Sequence, residues 1–298
     1  MTEPVTNPKK IIWLASYPKS GNTWFRAFLT ALLGDGDLKI NEMKTDGIFS
    51  SRAIFDNCTD MDSTELYDKE VKNLLPEVFK HQAELYNKDK LFVKIHDAYT
   101  LNSNGVPIVP EEPTLCALYF IRNPLDVVGS FANHNGSTLD EAITLMNNVR
   151  GTLAKQPKNK NVNTQFAQLM LSWSGHASSW TAGLPFPVLV IRYEDMLADP
   201  FNTFSRAVQF MKIDASASQI EKAIAETKFE KLQKQESETG FAEKNKRSER
   251  FFRKGVAGNW VNELSPEQIK SIIDNHADVM KQYNYPVDAV EASKQVVT

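Results

Sequence analysis

The sequence predicts an α/β protein with a central parallel sheet flanked by helices, and three observations carry that prediction. Short, continuously apolar runs recur along the chain, amphipathic segments alternate with them, and the first run passes through a Pro/Gly turn straight into a helical pattern. A strand apolar at every position has both faces covered, which a sheet between helices provides.

The first run is residues 11–15, interrupted by Pro18 and Gly21, and it leads into a helical pattern over 23–33 that Gly34 stops. Further strands are predicted at 91–96, 115–121 and 187–193. Asn123-Pro124 after the third run starts a helix, since proline suits the first helical position. Helical patterns cover 201–211 and 265–283, the latter with Ser265 and Glu267 in its first turn. Residues 35–62, 100–113, 155–163 and 235–249 are less regular and are expected to be the mobile segments and lids. No repeat or Pro/Ser-rich linker divides the chain, so residues 1–298 are expected to form one domain.

Of the 298 residues, 42% are hydrophobic, enough for a sizeable core. The net charge of −3 points to neither a nucleic acid nor a membrane surface as the main partner, so any anion site must be built locally. Cys58 and Cys116 have no metal-ligand spacing and are expected to be free thiols in a reducing compartment. The polar first ten residues do not read as a signal peptide, and no run approaches the ~20 apolar residues of a membrane span. A cytoplasmic, soluble protein is the expectation.

The loop after the first strand reads Tyr17-Pro18-Lys19-Ser20-Gly21-Asn22-Thr23-Trp24. In an α/β sheet ligands bind beyond the carboxyl ends of strands, and a helix N-terminus there offers free N–H groups to a phosphate. The nucleotide P-loop, G-x-x-x-x-G-K-[ST], fails here at two positions, because Ser16 falls at its first glycine and Asn22 at its lysine. Lys19 stands inside the loop instead, within reach of a phosphate or a leaving oxygen, and Trp24 is positioned to lie against a purine.

These eight residues closely resemble the 5′-phosphosulfate loop of sulfotransferases that use 3′-phosphoadenosine 5′-phosphosulfate (PAPS), Y-P-K-S-G-[TN]-[TN]-W. Two more segments resemble that family in order. Arg122-Asn123-Pro124-Leu125-Asp126-Val127-Val128-Gly129-Ser130 is similar to its 3′-phosphate motif, and Phe251-Phe252-Arg253-Lys254-Gly255-Val256-Ala257-Gly258-Asn259-Trp260 to its signature F-x-R-K-G-x-x-G-[DN]-W. The resemblance runs from Ile11 to about Glu267 and implies the P-loop-NTPase-like sulfotransferase fold. It implies that Lys19, Ser20, Gly21, Asn22, Thr23 and Trp24 hold the 5′ side of the donor. Arg122, Ser130, Arg253, Lys254 and Gly255 would hold the 3′-phosphate, and Tyr193, Thr227 and Phe229 the adenine.

Sulfuryl transfer requires a base for the acceptor proton and positive charge at the bridging oxygen. Of the five histidines, His96 alone ends a predicted sheet strand, and Lys94-Ile95-His96 matches the K-x-H carrying the family's base. Lys94, two residues away, shares its strand face and is expected to stabilise the transferring group, with Lys19 at the leaving oxygen. The reaction is expected to need no metal. After His96 the family's leucine and proline are replaced by Asp97-Ala98-Tyr99, and the family's K-x-x-x-T-V-x-x-x-E dimer motif is absent. Asp97 is expected at the rim of an acceptor pocket, favouring a polar or amine-bearing small molecule, with Phe49, Tyr99 and Phe131 as an aromatic slot. Two other readings compete: a P-loop-type small-molecule kinase, and a catalytically silent nucleotide-binding module.

Overall fold

The computed structural model describes residues 9–288 apart from 35, 37, 44, 155–162 and 246–247. The strands are β1 (Ile11–Ser16), β2 (Leu91–Ile95), β3 (Thr114–Ile121), the two-residue β4 (Thr152–Leu153) and β5 (Gln168–Leu169), and β6 (Val188–Arg192). β2, β1, β3 and β6 lie side by side in that order, and every pairing is parallel. β4 and β5 form a separate antiparallel pair.

The helices are α1 (Asn22–Leu33), α2 (Arg52–Thr59), α3 (Asp68–Leu85), α4 (Pro124–Asn135), α5 (Leu139–Asn147), α6 (Trp173–Thr181), α7 (Tyr193–Ala198), α8 (Pro200–Phe210), α9 (Ala217–Glu226), α10 (Phe229–Thr239) and α11 (Pro266–Gln282). Among the described residues, none is long and apolar enough to cross a membrane.

The unbroken apolar runs have a direct structural cause. Side chains alternate along a strand, so Ile11, Trp13 and Ala15 of β1 join one core with α3, α4, α5, α6 and α11. Ile12 and Leu14 join a second core with α1, α8 and α9. β3 divides in the same way, Ala117, Tyr119 and Ile121 against Cys116, Leu118 and Phe120. Both faces are covered, as the pattern predicted.

Helix ends follow local chemistry. Asn123 caps α4 by accepting from the Leu125 N–H, with Pro124 at the first helical position. Ser265 and Gln268 form a capping box on α11. Two segments expected to be irregular are more ordered than that. α2 lies inside 35–62, started by the Ser51 hydroxyl accepting from the Ile54 N–H, and α10 runs through residue 239, inside 235–249. Residues 155–162 lie outside the described residues. Because all four central strands are parallel, their carboxyl ends open on one edge, where residues 17–21, 96, 122 and 193 meet.

Candidate active site

A cavity of about 490 Å³ opens at that edge. Lys19, Gly21, Asn22, Thr23, Trp24, Lys94, His96, Arg122, Ser130, Tyr193, Phe229, Arg253, Lys254 and Gly255 all line it, from segments far apart in sequence. Ser20 and Thr227 do not. Ser20 is fully buried with an unpartnered hydroxyl. The Thr227 hydroxyl is spent on the carbonyls of Ala223 and Ile224, while its own carbonyl accepts from Trp24 Nε1 at 3.0 Å. Thr227 thus supports Trp24, and its hydroxyl does not reach the cavity.

The loop after β1 is held in an uncommon shape. Gly21 has φ 100°, and a Cβ there would lie 2.8 Å from the Tyr193 ring, so only glycine fits. Lys19 takes φ 69°, a left-handed conformation uncommon for a side chain of its size. Asn22 closes the loop by donating to the Leu14 carbonyl at 2.9 Å and to Ser16 Oγ at 3.2 Å, so its side chain is structural.

Around this loop the cations lie close together. Lys19 Nζ sits 3.9 Å above the Phe251 ring. Burial, with Arg122 and Lys94 nearby, pulls its amine down to about 7. Arg122 stacks over the Tyr193 ring at 4.3 Å and donates to the Lys19 and Val256 carbonyls at 3.3 and 2.9 Å, leaving its Nε buried without a partner. Two orphaned polar groups, Ser20 Oγ and Arg122 Nε, beside a positive-φ glycine suit a phosphate-bearing ligand.

Asp126 joins the second and third motifs, a role the sequence did not reveal. Its carboxylate accepts from the Gly258 and Trp260 N–H groups at 2.7 and 3.2 Å, which ties α4 to the 251–260 turn. In that turn Gly255 has φ 66° and packs against the Phe229 ring, where an added Cβ would clash. Glu263 pairs with both neighbouring cations, 2.9 Å from Arg253 and 2.8 Å from Lys254.

His96 stands immediately after β2. Its Nδ1 is 2.8 Å from the Ser16 carbonyl oxygen, an acceptor only, so Nδ1 carries the proton and Nε2 keeps its lone pair. Burial and the adjacent Lys94 charge hold its pKa well below the ordinary histidine value. Its own carbonyl accepts from His176 Nε2 at 3.1 Å, and Tyr119 Oη is 2.9 Å from His176 Nδ1. Lys94 shares the cavity with His96, yet it is paired with Glu243 at 3.1 Å. Glu243 also receives both Arg26 guanidinium nitrogens at 2.7 Å. Sequence reasoning missed Arg26 and Glu243. Arg26 left one trace, the single charged residue of a mostly apolar helix, four residues after Asn22; Glu243, in a polar loop, left none.

The acceptor-side expectations are corrected. Asp97 is 3% exposed and does not line the cavity; its Oδ1 accepts from the Leu169 N–H at 3.0 Å. It therefore anchors β5 beside residues 97–98, where the Ala98 N–H donates to the Leu169 carbonyl at 2.8 Å. Burial raises its carboxyl to about 7. The aromatic slot does not form either. Phe49 stacks on Phe79, Phe131 packs on Tyr17, and Tyr99 lies against Trp180 and Phe186, all away from the cavity. Period-2 patterning cannot say which aromatic faces a core and which a cleft. Polar Thr45, Gln165, Gln168 and His134 line the cavity instead.

A nucleotide-loop α/β fold with two cation clusters and a tautomer-fixed histidine defines a group-transfer enzyme acting on an anionic donor. The family profile described as "Sulfotransferase domain" matches residues 9–284, and the chain belongs to the sulfotransferase family. It is 25% identical over 278 residues to mouse sulfotransferase 1E1, covering 88% of this chain and 80% of that one. It is likewise 25% identical to cytosolic sulfotransferase 15 of Arabidopsis thaliana, over 87% and 68% of the two chains. Among solved structures, a retinol dehydratase in complex with androsterone and inactive cofactor PAP superposes with a TM-score of 0.60 at 18% identity, covering 92% of this chain and 81% of that one. A mouse sulfotransferase complexed with PAP gives 0.54 at 21%, over 91% and 85%. At that identity the structures speak for the fold alone.

Proposed function

We propose that this single-domain enzyme transfers a sulfuryl group from PAPS to a hydroxyl of a small-molecule acceptor, with an amine as the second candidate nucleophile and His96 as general base. The observation that carries the reading is the 2.8 Å contact of His96 Nδ1 with the Ser16 carbonyl, which leaves Nε2 as a free proton acceptor in the same cavity as Lys19.

In this reaction His96 Nε2 takes the acceptor proton, the acceptor oxygen bonds to sulfur, and the bond from sulfur to the bridging phosphate oxygen breaks. Lys19 meets the charge left on that oxygen, and Lys94 the charge on the transferring group. The orphaned Ser20 hydroxyl and Arg122 Nε support the 5′ and 3′ anion subsites. Ser130, Arg253, Lys254 and Gly255 belong to the 3′ side, and Tyr193, Phe229 and Trp24 to the purine. The polar lining by Thr45, Gln165, Gln168 and His134 favours an acceptor with hydrogen-bonding groups. The cytosolic naming of the plant relative supports a cytoplasmic location.

Calorimetry with 3′-phosphoadenosine 5′-phosphate (PAP) against ATP tests the donor. Micromolar PAP binding with weak ATP binding is expected without magnesium; tight ATP binding and none of PAP would return the kinase reading, which family membership does not favour. Turnover that disappears in His96→Ala while PAP binding persists sets the catalytic reading apart from a silent module.

A further inference from the structure

The 3′ side of the cavity contains an anion of its own. Glu263, just beyond the 3₁₀ turn at Asn259–Asn262, extends its carboxylate back between Arg253 and Lys254. Oε1 lies 2.9 Å from Arg253 Nη2 and 2.8 Å from Lys254 Nζ, and Oε2 is 3.2 Å from Arg253. Oε2 also rests directly on the backbone of Gly129, where any added Cβ would collide with it, one residue from Ser130. A carboxylate placed against two cations and the Gly129-Ser130 turn occupies the position an incoming phosphate would need.

We propose that Glu263 is a built-in occupant of the 3′-phosphate subsite, competing with the donor and product for Arg253 and Lys254 and so setting the affinity for both. This rests on the donor reading above. A phosphate monoester carries more charge than a carboxylate and has three acceptor oxygens, so it displaces Glu263 when it binds. Until then the side chain keeps two cations paired in a partly shielded place, where each would otherwise repel the other. The measured affinity is the intrinsic one reduced by the fraction of molecules in which the subsite is free. A site that starts paired also re-pairs when PAP leaves, which favours product release. Burial works to raise the Glu263 carboxyl but is outweighed by the Lys254 and Arg253 contacts, which hold it below the ordinary carboxylate range, so it remains an anion at neutral pH.

The competition is confined to one phosphate, and that gives a selective test. PAP and adenosine 5′-monophosphate, which lacks the 3′-phosphate, are titrated into the wild-type enzyme and into Glu263→Gln and Glu263→Ala. Both variants are expected to bind PAP about five- to tenfold more tightly with unchanged affinity for the monophosphate. Equal or weaker PAP binding in both variants, with melting temperatures near that of the wild type, overturns the inference while leaving the donor reading intact. Tightening of both ligands alike overturns it too, because the effect would then not belong to the 3′ side. If PAP fails to bind the wild type, the donor reading and this inference fall together.

Discussion

His96 Nδ1 lies 2.8 Å from the carbonyl oxygen of Ser16, the last residue of β1. A strand end thereby fixes the tautomer of a side chain on the neighbouring strand's exit, and the free lone pair is left on Nε2. A general base contributes roughly 10²- to 10⁴-fold, so His96→Ala and His96→Gln should lose about that much turnover with PAP affinity unchanged within twofold. Burial and Lys94 keep the ring neutral well below the ordinary ~6.5, so the acid limb of kcat/KM should fall at clearly lower pH than for a free histidine. An acid limb at 6.5 or above would contradict this.

Lys19 titrates at about 7 because burial and two cations disfavour its charge. At pH 8 most molecules therefore hold a neutral amine. A bound phosphate anion reverses that balance, so PAP binding at pH 8 should take up close to one proton. Calorimetry in buffers of different ionisation enthalpy measures it directly. Lys19→Ala should abolish the uptake and lower turnover by roughly 10²- to 10³-fold; no proton uptake in the wild type would show that Lys19 does not face the donor.

The parallel sheet was legible because residues 11–15 are apolar on both faces, and both faces are covered. The loop at Tyr17 to Trp24 was legible because its glycine and lysine positions answer to backbone and charge constraints local to eight residues. Groups that act across the fold were not. Asp126 bonds N–H groups at 258 and 260, and Glu243 reaches Arg26 and Lys94, partners 217 and 149 residues distant. Nothing in the flanking sequence of an acidic residue states which loop will fold against it. Asp97 misled for the opposite reason: its place next to His96 suggested a cavity rim, but the chain turns it inward to hold β5.

Asp126 should behave as a mechanical link between the donor motifs. Asp126→Ala strands one buried and one half-buried N–H group, at a cost of about 1–3 kcal/mol in urea unfolding. The 251–260 turn would then no longer be tied to α4, so PAP affinity should fall at least about tenfold although Asp126 offers no positive charge to a phosphate. Wild-type PAP affinity in this variant would show that the turn holds its position by other contacts.

Glu243 compensates Arg26, whose side chain is 3% exposed, and the carboxylate itself is 33% exposed. The two cations hold the Glu243 carboxyl well below its ordinary range, outweighing the burial that would raise it. Glu243→Gln leaves a buried guanidinium without its counter-ion and should destabilise the fold by about 2–4 kcal/mol. Adding Arg26→Met should recover part of the loss, since the guanidinium's desolvation penalty goes with it while Lys94 stays without its counter-ion. A single-variant loss below about 0.5 kcal/mol would mean that water reaches the pair freely.

His176 connects His96 to the core and should govern acid stability. It is fully buried, with Tyr119 Oη at Nδ1 and the His96 carbonyl at Nε2, and burial lowers its pKa to about 3. The unfolded chain, with an ordinary value near ~6.5, binds a proton that the folded chain refuses between those limits. The stability it contributes is therefore full above about pH 6.5 and is lost as pH falls towards about 3. Each pH unit in that window costs about 1.4 kcal/mol per such histidine. His134 and His276, both lowered to about 4 by burial, act in the same direction. In His176→Gln, urea unfolding at pH 6, 5 and 4.5 should give a slope shallower by about one proton. An unchanged slope would mean that His176 already carries its second proton in the folded enzyme, with Nδ1 donating to Tyr119 Oη rather than accepting from it.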